Sequence, residues 1–124
     1  MCNKPISSST LSTSLQADFA VGFSKPHLPF VSPKKYWDLY KREDMPVAPF
    51  QEKSKNAVDI AYHKAGEMQS YKTPEIIYKL NKDGLLELDE KLQKKLIHGY
   101  YAATSYIDAQ IGKINEKLKE KGLD

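Results

Sequence analysis

Cysteine is nearly absent. Cys2 stands alone in 124 residues, which excludes an internal disulfide and a cysteine-built zinc site. Arginine is as scarce: Arg42 is the only one, and every other basic side chain is lysine. Bidentate reading of phosphates or base edges draws on arginine, and a net charge of +3 is small, so no nucleic-acid partner is expected. No apolar run approaches the ~20 residues that cross a bilayer, so no membrane span is expected. The first residues offer one base, Lys4, and no apolar stretch behind it, which does not read as a secretory signal. The three histidines (His27, His63 and His98) lack metal-ligand spacing, and no metal site is expected. Core-forming residues are also short. Hydrophobic side chains make up 40%, and eight of them are tyrosine, against roughly 45–50% apolar in a typical soluble domain.

What is present falls into four parts. Residues 1–16 are polar and rich in serine and threonine, and read as disordered or as a non-native leader. The run Phe19-Ala20-Val21-Gly22-Phe23 has the length of a buried strand and is followed by a turn at Ser24-Lys25-Pro26. Five of the seven prolines then crowd between Pro26 and Pro49, which forbids long regular structure. One short helix is expected inside that stretch, capped by Ser32, with Pro33 at its first position and an apolar side of Tyr36, Trp37, Leu39 and Tyr40. From Lys41 to Gly84 the chain is polar and mixed. Pro46 and Pro49 suggest an extended piece, and Asp83-Gly84 marks a turn. Such a stretch suits the surface of a larger protein.

The clearest element comes last. Leu92, Leu96, Tyr100, Ala103, Ile107, Ile111, Ile114 and Leu118 recur at intervals of three and four, which is one stripe of a long helix. Asp89 is placed to cap its start. Lys117, Lys119 and Lys121 suit its end, and Gly122 stops it. One strand and one small helix cannot cover such a stripe, so the chain reads as a piece of a layered α/β protein.

The site-like segment is Ser24-Lys25-Pro26-His27-Leu28-Pro29-Phe30. It follows the expected strand, and ligands gather past the carboxyl ends of strands in open α/β sheets. If the segment is extended, Lys25 and His27 share a side and can face one anion, held by Pro26 and Pro29. A second reading stands beside it: a proline-rich surface loop with a solvated lysine and a hydrogen-bonded histidine.

The run from Phe19 to Phe30, continued by Pro33-Lys34-Lys35-Tyr36-Trp37-Asp38-Leu39-Tyr40, resembles the middle of sulfatases of the iduronate-2-sulfatase type. The run from Leu96 to Gly112 is similar to the same family's long helix. The two blocks stand in the family's order, and the resemblance covers roughly Ala20 to Asp124. It implies a partial alkaline-phosphatase-like sulfatase fold of α/β class: one short core strand, a proline-rich loop, a short helix and one long amphipathic helix. Residues 17–124 would then be part of the catalytic domain, a central fragment. The family hydrolyses sulfate esters, probable substrates being sulfated carbohydrates, with a formylglycine nucleophile and a calcium ion. Its members are typically periplasmic, secreted or lysosomal. The resemblance gives His27 contact with the sulfate and protonation of the leaving oxygen, work that suits a side chain with an ordinary pKa of about 6.5. It gives Lys25 an electrostatic role towards sulfate or substrate.

The departures are as informative. Cys2 is followed by Asn3-Lys4-Pro5-Ile6, not by the Cys/Ser-x-Pro-x-Arg motif that yields formylglycine, and no Asp-Asp pair lies near the N-terminus. The chain alone is therefore expected to be inactive. His63 reads as loop surface and His98 as a structural or surface residue beside the stripe. Tyr100, Tyr101 and Tyr106 read as packing against a sheet. Asp108 and Gln110 read as organising a helix contact, and Lys34 and Lys35 as a solvated face. The alternative to a sulfatase piece is a small non-enzymatic helical protein that binds a partner through its stripe.

Overall fold

A computed structural model describes residues 20–62, 66–71, 79–81 and 84–123. The expected leader 1–16, Phe19 and His63 lie outside the described residues. Three helices and two short strands follow one another as α1 (Lys34–Trp37), α2 (Gly66–Ser70), β1 (Lys79–Leu80), β2 (Leu86–Glu87) and α3 (Glu90–Lys121), with 3-10 turns at Arg42–Asp44 and Asp59–Ala61. No helix among the described residues is long and apolar enough to cross a membrane.

Helix α3 has 32 residues and is about 48 Å long. Both ends close as the sequence predicts. Asp89 accepts the Leu92 N–H at 2.6 Å, which satisfies one orphan donor of the first turn. Gly122 takes a left-handed conformation at φ 65. Its N–H reaches the Lys119 carbonyl and the Leu123 N–H reaches the Leu118 carbonyl, each at 3.0 Å. This is the Schellman closure that glycine allows without steric cost.

The packed seam shares Leu92 and Ala103 with the predicted stripe and otherwise departs from it. The buried residues of α3 are Leu92, His98, Gly99, Ala102 and Ala103, while Tyr100 and Ile111 of the stripe are exposed. Small side chains explain the shift. Gly99 and the two alanines let the aromatic segment 30–40 approach the helix closely, and of the three only Ala103 belongs to the apolar periodicity. Met45 completes the core from the turn after Arg42–Asp44.

Three other expectations are corrected. Residues 20–23 form no strand, and Val21 and Phe23 are exposed; a strand needs a ladder partner, and none stands beside it among the described residues. The sheet is instead the antiparallel pair β1–β2, with Leu80 opposite Leu86. Its turn is the one marked by Gly84, at φ 72, whose N–H bonds the Asn81 carbonyl at 3.0 Å. In α1, Pro33 rather than Ser32 is the N-cap and no side chain caps it; the Ser32 hydroxyl is buried and bonds none of the described residues. The tyrosines of α3 meet rings of the proline-rich segment rather than a sheet: Tyr100 meets Phe30 at 5.9 Å, Tyr101 meets Tyr40 at 5.4 Å, and Tyr106 meets Tyr36 at 5.3 Å.

Candidate functional site

The segment 24–30 is a turn rather than an extended strand. The His27 N–H donates to the Ser24 carbonyl at 3.1 Å, and the Lys25–Pro26 and Leu28–Pro29 peptide bonds are cis. The two predicted site residues meet here through the Lys25 ammonium and the His27 carbonyl. The Lys25 ammonium turns into the loop and donates to the Pro29 carbonyl at 2.5 Å and the His27 carbonyl at 3.3 Å. The His27 imidazole points outwards, its side chain 65% exposed.

The hydrogen bonds of His27 define its two nitrogens. Nδ1 lies 2.9 Å from the Leu28 carbonyl. A carbonyl can only accept, so Nδ1 carries the proton and Nε2 is left as the outward atom. Nε2 faces the Glu67 carboxylate at 3.4 Å. The other Glu67 oxygen accepts from the Tyr71 hydroxyl at 3.2 Å. Desolvation raises the Tyr71 phenol above its ordinary value, and the bond to Glu67 and that group's charge add to it. Glu67 is a residue that sequence reasoning missed. It lies forty positions from His27 in a polar stretch, with no spacing signal to join them.

The loop is fixed to α3 at its far end. Phe30 stands edge-on to Tyr100 and rests over Gly99, where a Cβ would lie 3.0 Å from the Phe30 Cβ and 3.0 Å from the Trp37 Cη2. A glycine inside a helix costs about 1 kcal/mol relative to alanine, and that cost is the signal that could have revealed the contact. His98, next to it, is structural. It is buried, its Nε2 bonds the Trp37 carbonyl at 2.8 Å, and its ring meets the Trp37 ring at 5.0 Å. Tyr40 and Ser105 share a hydroxyl bond of 2.6 Å. Lys34 pairs with Asp38, and Lys35 lies over the Tyr36 ring. Gln110 turns to the Tyr106 carbonyl of its own helix at 3.3 Å, and Asp108 is exposed. Among the described residues, no group of three or more His, Cys, Asp or Glu is placed to hold a metal ion.

Comparison with known proteins points to one class. No family model matches the chain. Over 104 residues, 84% of the chain, it is 30% identical to iduronate 2-sulfatase of Homo sapiens and 29% identical to that of Mus musculus. It is 28% identical over 100 residues to a sulfatase of Formosa agariphila. The chain spans about 18% of the length of each of these relatives. It is thus similar over most of its length to one segment of these sulfatases.

Proposed function

We propose that the chain is part of a sulfatase of partial alkaline-phosphatase-like fold that hydrolyses sulfate esters, with sulfated carbohydrates as the substrate class. His27 contacts the sulfate and protonates the leaving oxygen. The observation that carries this reading is the outward Nε2. With Nδ1 held by the Leu28 carbonyl, proton transfer runs through Nε2, where a substrate oxygen would take the place of the Glu67 carboxylate that lies 3.4 Å away. As an imidazolium, His27 gives that proton to the departing alkoxide. Lys25 acts at second hand by holding the loop through two carbonyls, and its positive charge lies close to the bound anion.

In this family formylglycine supplies the nucleophile and calcium polarises the sulfate. This sequence holds no Cys/Ser-x-Pro-x-Arg, and no step is assigned here to a metal. The 124-residue chain by itself is therefore expected to have no turnover, and the parent is expected in a periplasmic, secreted or lysosomal setting. The comparisons favour the sulfatase reading over a non-enzymatic helical binding protein.

The test is a chimera in which the matching residues of this chain replace the corresponding segment of the Formosa agariphila sulfatase. Activity on a sulfated substrate supports the reading. His27→Ala should then lower kcat by about 10²–10⁴-fold on a sugar sulfate and by less on an aryl sulfate, whose leaving oxygen needs little protonation. Equal losses on both substrates would remove the general-acid role and leave His27 as a sulfate-binding group.

A further inference from the structure

Arg42 is exposed yet held in place. Its Nε–H donates to Nδ1 of the buried His98 at 3.4 Å. The bond of His98 Nε2 to the Trp37 carbonyl fixes the proton on Nε2 and leaves Nδ1 as the acceptor Arg42 needs. The guanidinium has no carboxylate partner among the described residues. Beside it opens a cleft of about 390 Å³ lined by Arg42, Asp89, Lys91, Leu92 and Lys95.

Three cations and one carboxylate face this space. The carboxylate is already engaged, since Asp89 caps α3 through the Leu92 N–H. Lys91 makes no ion pair with a described residue. The neighbouring acids are drawn elsewhere: Glu90 pairs with Lys94 at 2.8 Å, and Lys94 also reaches the Glu43 carbonyl at 3.1 Å. The first turn of α3 adds the positive end of its helix dipole.

We propose that this cleft binds a tetrahedral oxyanion of the sulfate class, either free or as an ester on a sugar. Arg42 offers the two outer nitrogens of its fork, Lys91 acts as a point charge, and Leu92 supplies an apolar wall. None of these residues belongs to the His27 loop, while the choice of sulfate among oxyanions rests on the proposed function.

The experiment titrates the 124-residue chain with sodium sulfate, glucose 6-sulfate and glucose at constant ionic strength, with sodium chloride as the balance, and follows the Arg42 Nε–H and Lys91 amide signals by NMR. Sulfate and the sulfated sugar should both move these signals to saturation, and glucose should not. A charge-assisted bond is worth roughly 1.5–3 kcal/mol, so Arg42→Gln should weaken both ligands about tenfold or more. Arg42→Lys, which keeps the charge and loses the His98 anchor, should remain weaker than the native chain. Tighter binding of the sugar sulfate than of free sulfate identifies the ester as the occupant, and the reverse order identifies the free anion. An unmoved Arg42 signal, a chloride response of equal size, or native affinity in either variant would overturn the proposal.

Discussion

Gly99 and Phe30 make a close approach between the histidine loop and the long helix. A Cβ on residue 99 would stand 3.0 Å from the Phe30 Cβ, an atom next to backbone that cannot swing aside. Gly99→Ala gains about 1 kcal/mol of helix propensity and meets an overpacking cost of about 1–3 kcal/mol. The expected outcome is a longer helix with a loosened loop. The fluorescence of Trp37, the chain's sole tryptophan, should move towards that of a solvated indole while ellipticity at 222 nm holds or rises. An unchanged Trp37 spectrum would show that the seam has room to spare.

The hydroxyls of Tyr40 and Ser105 tie the end of the aromatic segment to the middle of α3. Tyr40→Phe should cost about 0.5–1.5 kcal/mol of local stability, and Ser105→Ala a similar amount. The double variant should cost little more than either single one, because both remove the same bond. Amide exchange at residues 102–106 is the measurement. Strictly additive losses would mean that the two hydroxyls act separately.

Asp89→Ala should reduce helix at the start of α3 by removing the acceptor of the Leu92 N–H. Caps of this type are worth about 0.5–2 kcal/mol. Asp89→Asn, which keeps a capping oxygen, should recover most of the loss. Faster amide exchange at residues 91–94 alone, with the far end of α3 unchanged, is the expected pattern.

The loop between residues 53 and 62 should respond to acid. The hydrogen bond and charge of Lys53 hold the Asp59 carboxyl below the ordinary carboxylate value, while Lys53 also lies over the Tyr62 ring. A depressed folded-state value means the contribution is complete above the unfolded pKa and fades as pH falls through the lower folded one. Side-chain ¹³C titration should give a low midpoint for Asp59, and Lys53→Met should raise it. The group is exposed, so the loop should loosen in acid while the seam on α3 persists.

The buried apolar set among the described residues is small: Tyr36, Met45, Leu92, Ala102 and Ala103. Beyond it, Val21, Ile114, Leu118 and Leu123 line an apolar cleft with Lys113, Lys117 and Lys121 at the end of α3. The isolated chain should therefore melt over a broad range and associate with itself. A sharp two-state transition of a monomer would contradict this.

Helix α3 was legible because long apolar periodicity and both caps agree, and Asp89 and Gly122 stand where propensity puts them. The turn at Gly84 was legible for the same local reason. The proline-rich loop and its histidine were visible as residues but not as a shape, since a fold-back at 24–27 and an extended run can share one sequence. Ser32 misled because a capping residue type is no guarantee of a capping geometry. Gly99, Arg42 and Glu67 stayed hidden because their meaning lies in partners far along the chain: Phe30, His98 and His27.

His98 also bears on how such a chain can change over evolutionary time. Through Trp37 and Arg42 it fastens the start of the polar middle to α3, and Gln93 fastens its two edges by bonding Gln51 at 3.0 Å and the Leu88 carbonyl at 2.7 Å. With its ends pinned, the stretch between can grow or shrink at small entropic cost, roughly 0.6 kcal/mol for each doubling in length. Insertions and deletions among relatives should therefore gather between residues 52 and 87, where new recognition elements can be added without retuning the seam that carries His27.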